Sequence, residues 1–155
     1  SYFGDLDFLF LDLPPGTGDI AISVGQLLPH AEILVVTTPQ PSASAVAWRS
    51  GDVARQTGQR VVGVIENMSG VTLADGTRLD VFGSGGGQVV ADRLQVPLLG
   101  SLPLSPNLRE AGDEGTPLVI VDPDNAVSEH LREIAQKIVR SGPSKVGKKL
   151  PVSLV

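Results

Sequence analysis

Apolar residues concentrate in short runs that are separated by polar and turn-rich stretches. Three of these runs cover residues 8–13, 33–36 and 61–65, and Asp12 is the only acidic interruption of the first. An apolar run without alternation of polar positions is typical of a strand that is buried on both faces, as in a parallel sheet. A fourth strand is predicted within residues 96–104, whose sequence is VPLLGSLPL.

Segments of helical length lie between the predicted strands. Three helices are predicted at residues 19–28, 42–57 and 87–94, and the second stops at Gly58, a residue that suits a helix C-terminus. The last helix follows the sequence DPDN, and its apolar side chains recur at helical spacing. These side chains are Val127, Leu131, Ile134, Ala135 and Ile138.

The alternation of strands and helices predicts an α/β fold. We expect a doubly wound, mostly parallel sheet with helices on both faces. The chain has 155 residues and 41% hydrophobic content, which suits one domain with a single core. That domain is predicted to cover residues 1–140, and the Gly-, Pro- and Lys-rich residues 141–155 are predicted to form a flexible tail.

Charge and composition narrow the classes of partner. The formal net charge is -5, so the protein has no overall basic field that would attract nucleic acid or anionic lipid. No apolar run approaches the ~18 residues that a membrane span needs. We therefore expect a soluble, cytoplasmic protein that binds neither nucleic acid nor membrane. The chain has no cysteine, so it supplies no thiolate to zinc or to an iron–sulfur cluster.

The first predicted strand ends in a stretch that suits phosphate chemistry. Ligands of open parallel sheets bind beyond the carboxyl ends of the strands, where Asp12 is predicted to lie. A carboxylate there can hold Mg²⁺ through water, and Gly16 allows the backbone to come close to a phosphate. Asp19 falls where a helix should begin, so it is either the N-cap of that helix or a residue that orients an attacking water.

Six blocks of sequence, in a fixed order, carry a resemblance to a known family. The first is DLPPGTGD at residues 12–19. The other five are VVTTPQ (35–40), GVIENMS (63–69), FGSGGG (82–87), VPLLGSLPL (96–104) and REAGDEGTP (109–117). They resemble blocks of the Mrp-type iron–sulfur cluster carrier ATPases, which belong to the deviant-Walker group with MinD and ParA. The resemblance covers roughly residues 5–140 and implies part of a P-loop NTPase domain that binds ATP and Mg²⁺.

This resemblance implies roles for individual residues. Asp12 matches the magnesium-associated acid of the family, and Gly16 matches the switch II glycine. Asn67 matches the asparagine that the group uses on the adenine ring, and a carboxamide can pair with an exocyclic amine and a ring nitrogen together. The alternative for Asn67 is a turn residue that satisfies its own backbone.

Two glycine- or proline-rich blocks leave alternatives open. Pro103, Leu104 and Ser105 match the loop that packs beside the base, although the sequence PLSP would also simply start a helix. The glycines of residues 83–87 could form an anion-binding nest or a flexible entry into the next helix.

Two departures from the family pattern affect the predicted activity. The phosphate loop of the family, with its lysines, belongs to a strand and helix that should precede Ser1, so we expect this chain alone to be inactive even if the parent protein is an ATPase. The family also often has a Cys-x-x-Cys pair between the GVIENMS and FGSGGG blocks. Here residues 70–81 read GVTLADGTRLDV, which predicts a hairpin that turns at Asp75-Gly76. Its carboxylates are hard oxygen donors and poor replacements for thiolate.

Three functions follow in order of preference. The first is an ATP-binding and ATP-hydrolysing iron–sulfur cluster carrier or assembly factor, acting as a homodimer on iron–sulfur apo-protein targets. The second is a cluster-free, nucleotide-switched scaffold ATPase similar to MinD and ParA. The third is a noncatalytic interaction domain.

Overall fold

The computed structural model describes residues 2–14 and 18–142. Helices and strands alternate along this part of the chain. The helices are α1 (Asp19–Leu27), α2 (Pro41–Gln56), α3 (Gly86–Leu94), α4 (Pro106–Asp113), α5 (Leu118–Val121) and α6 (Ala126–Ser141). The strands are β1 (Glu32–Thr37), β2 (Arg60–Glu66), β3 (Val71–Thr72), β4 (Arg78–Leu79) and β5 (Leu98–Ser101).

A three-stranded parallel sheet forms the centre of the fold. Its order is β1-β2-β5, so β2 lies in the middle. Parallel neighbours need long crossovers, and here α2 connects β1 to β2 while β3, β4 and α3 lie between β2 and β5 in the chain. The carboxyl ends of all three strands therefore meet at one edge, where the loops after Thr37, Glu66 and Ser101 begin.

Helices cover both faces of this sheet, as predicted. On one face, Val35 and Val64 pack in a buried cluster with residues of α2 and α3, among them Leu94. On the other face, Leu99 and Ile134 belong to a second cluster that includes residues of α4, α5 and α6. Burial on both faces explains why the strands read as continuous apolar runs.

The prediction of a strand at residues 8–13 is wrong for this structure. The segment has no regular secondary structure, and its apolar side chains lie in solvent, with Phe10 68% exposed. A strand forms only where a neighbour completes its backbone hydrogen bonds, and within the described residues β1 pairs with β2 alone. The apolar composition of the segment was therefore not sufficient to make it a strand.

The predicted hairpin between Gly70 and Val81 is confirmed in a short form. Its two-residue strands pair antiparallel, with Val71 opposite Leu79. Gly76 has φ +83°, and the Asp75 carboxylate accepts a hydrogen bond from the Thr77 N–H at 2.9 Å, so the turn lies where the Asp-Gly pair indicated.

The carboxyl-terminal helix is closed by Gly142, and it overlaps the predicted tail by one residue. Ser141 is its last residue, so the predicted tail begins inside α6, and residues 143–155 lie outside the described part of the chain. Across the described ranges, no helix is both long and apolar enough to cross a membrane.

Candidate functional site

Two loops at the carboxyl edge of the sheet are joined by backbone hydrogen bonds. The Ser69 N–H donates to the Leu102 carbonyl at 2.9 Å, and the Leu104 N–H donates to the Gly70 carbonyl at 2.7 Å. These bonds bring the Asn67 loop beside residues 103–105. The structure therefore brings together the residues that the sequence assigned to the base of a nucleotide.

Asn67 combines a turn role with remaining hydrogen-bonding capacity. Its side-chain oxygen accepts from the Met68 N–H at 2.9 Å, and Met68 has φ +59°, so the turn interpretation is confirmed. Among the described residues, no hydrogen bond engages the carboxamide nitrogen of Asn67. A carboxamide oxygen has two lone pairs, so the side chain can still accept one bond and donate others.

The loop after β5 ends in a helix cap. The Ser105 hydroxyl accepts from the Leu108 N–H at 3.2 Å, and Pro106 is the first residue of α4. This arrangement confirms that PLSP starts a helix. Pro103 and Leu104 are half-buried and precede the cap. Their predicted packing beside the base stays a prediction.

The two predicted catalytic acids are exposed. Asp12 lies in the segment without secondary structure, so it does not stand at the end of a strand here. Asp19 is the first residue of α1, and Gly18 occupies the N-cap in an extended conformation, so the prediction of Asp19 as the N-cap is wrong. An acid in the first turn still complements the helix dipole. No hydrogen bond between described residues joins Asp12 or Asp19 to Asn67.

Gly16, the third residue predicted for phosphate chemistry, lies outside the described residues. Its predicted role is not addressed by this structure.

Glu66 is a buried acid at this edge of the sheet that the sequence analysis did not single out. It is the last residue of β2 and only 5% exposed. Its Oε2 accepts from the Gly87 N–H at 2.6 Å, and its Oε1 accepts from the Ser101 hydroxyl at 3.4 Å. The signal was present, because a lone acid at the end of an apolar strand was the argument made for Asp12.

Close packing explains two of the glycines before α3. A Cβ on Gly87 would lie 2.6 Å from the Glu66 Cβ, and a Cβ on Gly86 would lie 2.5 Å from the Pro39 carbonyl and the Ser44 hydroxyl. These glycines let the start of α3 approach the ends of β1 and β2. Because Glu66 already accepts from the Gly87 N–H, that N–H is not available to a bound anion. The predicted nest stays a prediction for the N–H groups that precede Gly87.

Metal ligands do not converge anywhere in the described residues. No group of three or more His, Cys, Asp or Glu side chains there is placed to hold a metal ion. The full sequence has no cysteine, and Asp75 and Asp80 of the hairpin offer only oxygen. Hydrogen bonds from the Thr77 backbone and hydroxyl hold the pKa of Asp75 below its usual range. The residues present do not fit an iron–sulfur cluster.

Comparison with known proteins shows the family to which the chain belongs. Residues 1–139 match the family described as ParA, NUBPL iron-transfer P-loop NTPase. The chain belongs to this family. The iron–sulfur cluster carrier protein of Mycobacterium tuberculosis H37Rv is 61% identical over 140 residues, which are 86% of this chain and 37% of that protein. The predicted resemblance to iron–sulfur cluster carriers is confirmed, and the chain spans well under half the length of this relative.

Solved structures agree with the fold of a NUBPL-type NTPase. A nucleotide-binding protein from Archaeoglobus fulgidus, in complex with ADP, is 33% identical with a TM-score of 0.62, over 72% of this chain and 46% of that chain. The cell division ATPase MinD of Pyrococcus furiosus has a TM-score of 0.58 at 24% identity, over 72% of this chain and 43% of that chain. The predicted α/β fold of the MinD and ParA group is confirmed.

Proposed function

We propose that this chain is the carboxyl-terminal part of an ATP-binding and ATP-hydrolysing iron–sulfur cluster carrier, with its base site at the Asn67 loop. The single observation that carries the proposal is the pair of loops held together after β2 and β5. Ligands of parallel α/β sheets bind at this edge. Membership of an iron-transfer NTPase family and the ADP complex of the Archaeoglobus relative support a nucleotide there.

The open edge of β1 supports a missing portion of the same domain. Val36 is 58% exposed, and within the described residues the side of β1 away from β2 carries no strand. The side chains of residues 8–11 are at least half exposed as well, and within the described residues this segment pairs with no strand. A strand of the parent protein placed between these two segments would supply backbone hydrogen-bond partners to both of them. It would also bring the phosphate loop to the same edge of the sheet.

Asp12 has its proposed role only in that completed sheet. Paired as a strand, residues 8–13 would present Asp12 at the carboxyl edge, where it would hold Mg²⁺ through water. Asp19 would then stand near the phosphates at the start of α1. We propose iron–sulfur apo-proteins as targets, because the mycobacterial relative is named an iron–sulfur cluster carrier. We also propose a homodimer in the cytoplasm as the working form, as the family resemblance implies.

The absence of cysteine favours a second candidate function. A cluster-free ATPase scaffold would retain the nucleotide site and would use the hairpin of β3 and β4 for protein contacts. Iron and sulfide analysis of the complete protein, purified without oxygen, separates the two candidates. Bound iron and sulfide in equal amounts supports the carrier, and their absence supports the scaffold.

ATP hydrolysis by the complete protein and by this chain alone tests the proposal. We expect Mg²⁺-dependent turnover by the complete protein and none above background by the isolated chain, because we propose that the phosphate loop belongs to another part of the parent protein. Turnover by the isolated chain would contradict the proposed division of the site. No nucleotide binding by the complete protein would contradict the proposed function itself.

A further inference from the structure

Glu66 is a buried acid at the middle of the carboxyl edge of the sheet. Its strand lies between β1 and β5, and its backbone pairs with Thr37 on one side. On the other side, the Glu66 carbonyl accepts from the Leu102 N–H at 2.7 Å. The side chain then reaches the Gly87 N–H and the Ser101 hydroxyl. One residue thus contacts both strands that flank it and the first turn of α3.

The bond between Glu66 and Gly87 joins residues that are 21 positions apart. The chain between them starts with Asn67 and contains the hairpin of β3 and β4. Both ends of this excursion are therefore fixed to each other at the edge of the sheet. A carboxyl oxygen at the start of α3 also satisfies one of the first N–H groups of the helix, which have no acceptor within the helix itself.

We propose that Glu66 is a positioning residue that sets the direction of the Asn67 carboxamide for base selection. It acts by holding α3 against the strand that ends next to Asn67, and it does not itself contact the nucleotide. This inference rests on the proposed function, in which Asn67 pairs with the base. Without the Glu66 side chain, the Gly87 N–H loses its acceptor, and the start of α3 is held against the end of β2 by packing alone.

Two substitutions in the complete protein separate positioning from simple stabilisation. Glu66→Ala removes the acceptor, and we expect it to lower the ratio of ATP to GTP affinity by roughly threefold to thirtyfold. Glu66→Gln keeps an oxygen at the end of a side chain of the same length, so we expect it to retain most of the preference. Titration calorimetry with MgATP and MgGTP measures the ratio, and the unfolding midpoint reports stability separately.

A double-substitution cycle with Asn67→Ala tests the route of action. If Glu66 acts through Asn67, Glu66→Ala has no further effect on the affinity ratio in the Asn67→Ala background. An equal effect in both backgrounds would overturn the inference. So would an unchanged ratio in Glu66→Ala with a lowered unfolding midpoint, which would make Glu66 a stabilising residue only.

The same cycle distinguishes failure of the inference from failure of the proposed function. If Asn67→Ala leaves the preference for ATP unchanged, the proposed base site is wrong, and the inference is wrong with it. If Asn67→Ala lowers the preference and Glu66→Ala does not, the base site stands and only the inference fails. Should Glu66→Ala not fold, Glu66→Asp replaces it, since a carboxylate shortened by one methylene withdraws from the Gly87 N–H and should lower the ratio.

Discussion

The backbone N–H of Asn67 donates to the Thr37 carbonyl across 2.7 Å, directly beyond the paired ends of β2 and β1. The sheet therefore fixes the main chain of Asn67. A substitution of the Asn67 side chain leaves this backbone bond in place. Its effects on nucleotide binding should consequently report the carboxamide itself.

Asn67→Ala in the complete protein should reduce the preference for ATP over GTP. The loss of a bidentate pairing with the base corresponds to about 1–3 kcal/mol of selectivity. Competition binding with both nucleotides measures it. Asn107→Ala, an exposed asparagine on α4, is the matched control and should leave the preference unchanged. An unaltered preference in Asn67→Ala would leave this residue with its turn role only.

Asp12→Asn should abolish hydrolysis far more than it weakens nucleotide binding. The acid is proposed to serve the metal in the transition state and not to hold the base. Steady-state turnover and nucleotide affinity, both measured on the complete protein, give the comparison. Asp7→Asn changes another exposed acid of the same segment and should affect neither quantity. Equal losses of turnover and affinity in Asp12→Asn would indicate a folding defect.

Gly87→Ala should destabilise the protein by about 1–3 kcal/mol, because the new methyl group would overlap the Glu66 side chain in a packed interior. Gly112→Ala is the opposite case. Gly112 lies in α4 with nothing within 4 Å of the added Cβ, so alanine there should add up to ~1 kcal/mol of stability. Denaturant unfolding of both variants checks the pair. Equal changes in the two would mean that α3 does not pack on Glu66 in solution.

The Asp75 carboxyl should titrate below the usual aspartate pKa of 3.8. Its lowered pKa means that the folded turn is favoured while the carboxylate is ionised, and that this contribution is lost as the pH falls through the folded-state pKa. The chemical shift of the Thr77 amide proton, followed through acid pH, measures the midpoint. Thr77→Val keeps the backbone donor, so most of the lowering should persist. A midpoint at or above 3.8 would contradict the hydrogen bond to Asp75.

Anaerobic reconstitution of the complete protein with iron and sulfide should yield no cluster that depends on residues 70–81. The segment has no thiolate, and carboxylates are poor ligands for iron–sulfur clusters. Ala74→Cys combined with Thr77→Cys creates a Cys-x-x-Cys pair in the turn and should gain iron and sulfide binding. If the natural protein assembles a four-iron cluster that Asp75→Ala or Asp80→Ala abolishes, the carboxylates are ligands and the prediction is wrong.

Local pattern was sufficient to predict the buried sheet and its covering helices. The strands at Glu32–Thr37 and Arg60–Glu66 are apolar on both faces because helices pack on both faces, and that condition is visible in the sequence. The same pattern failed at residues 8–13, because strand formation also needs a neighbour, which composition does not report. The hydrophobic pattern therefore indicates that a segment can form a strand, and the presence of a neighbouring strand decides whether it does.

The residues of the candidate site were predicted only in part. Asn67 and residues 103–105 were brought together as the family resemblance implied, since parallel strands end at one edge. Glu66 was missed because its importance depends on Gly87, which lies 21 positions away in the chain and beside it in space. Ser105 was predicted with two alternatives, and its hydroxyl is occupied by the cap of α4.

The bond between Glu66 and Gly87 also affects how readily the sequence between these two residues can change. When the two ends of a segment are held together, the entropic cost of closing it as a loop depends only weakly on its length. Doubling the length costs about 0.6 kcal/mol. The domain can therefore replace a ligand-bearing loop with an Asp-Gly hairpin, or the reverse, at little cost to its stability. Changes in this segment should therefore cost the core little stability, and a hairpin without thiolates is one sequence that the fold accommodates.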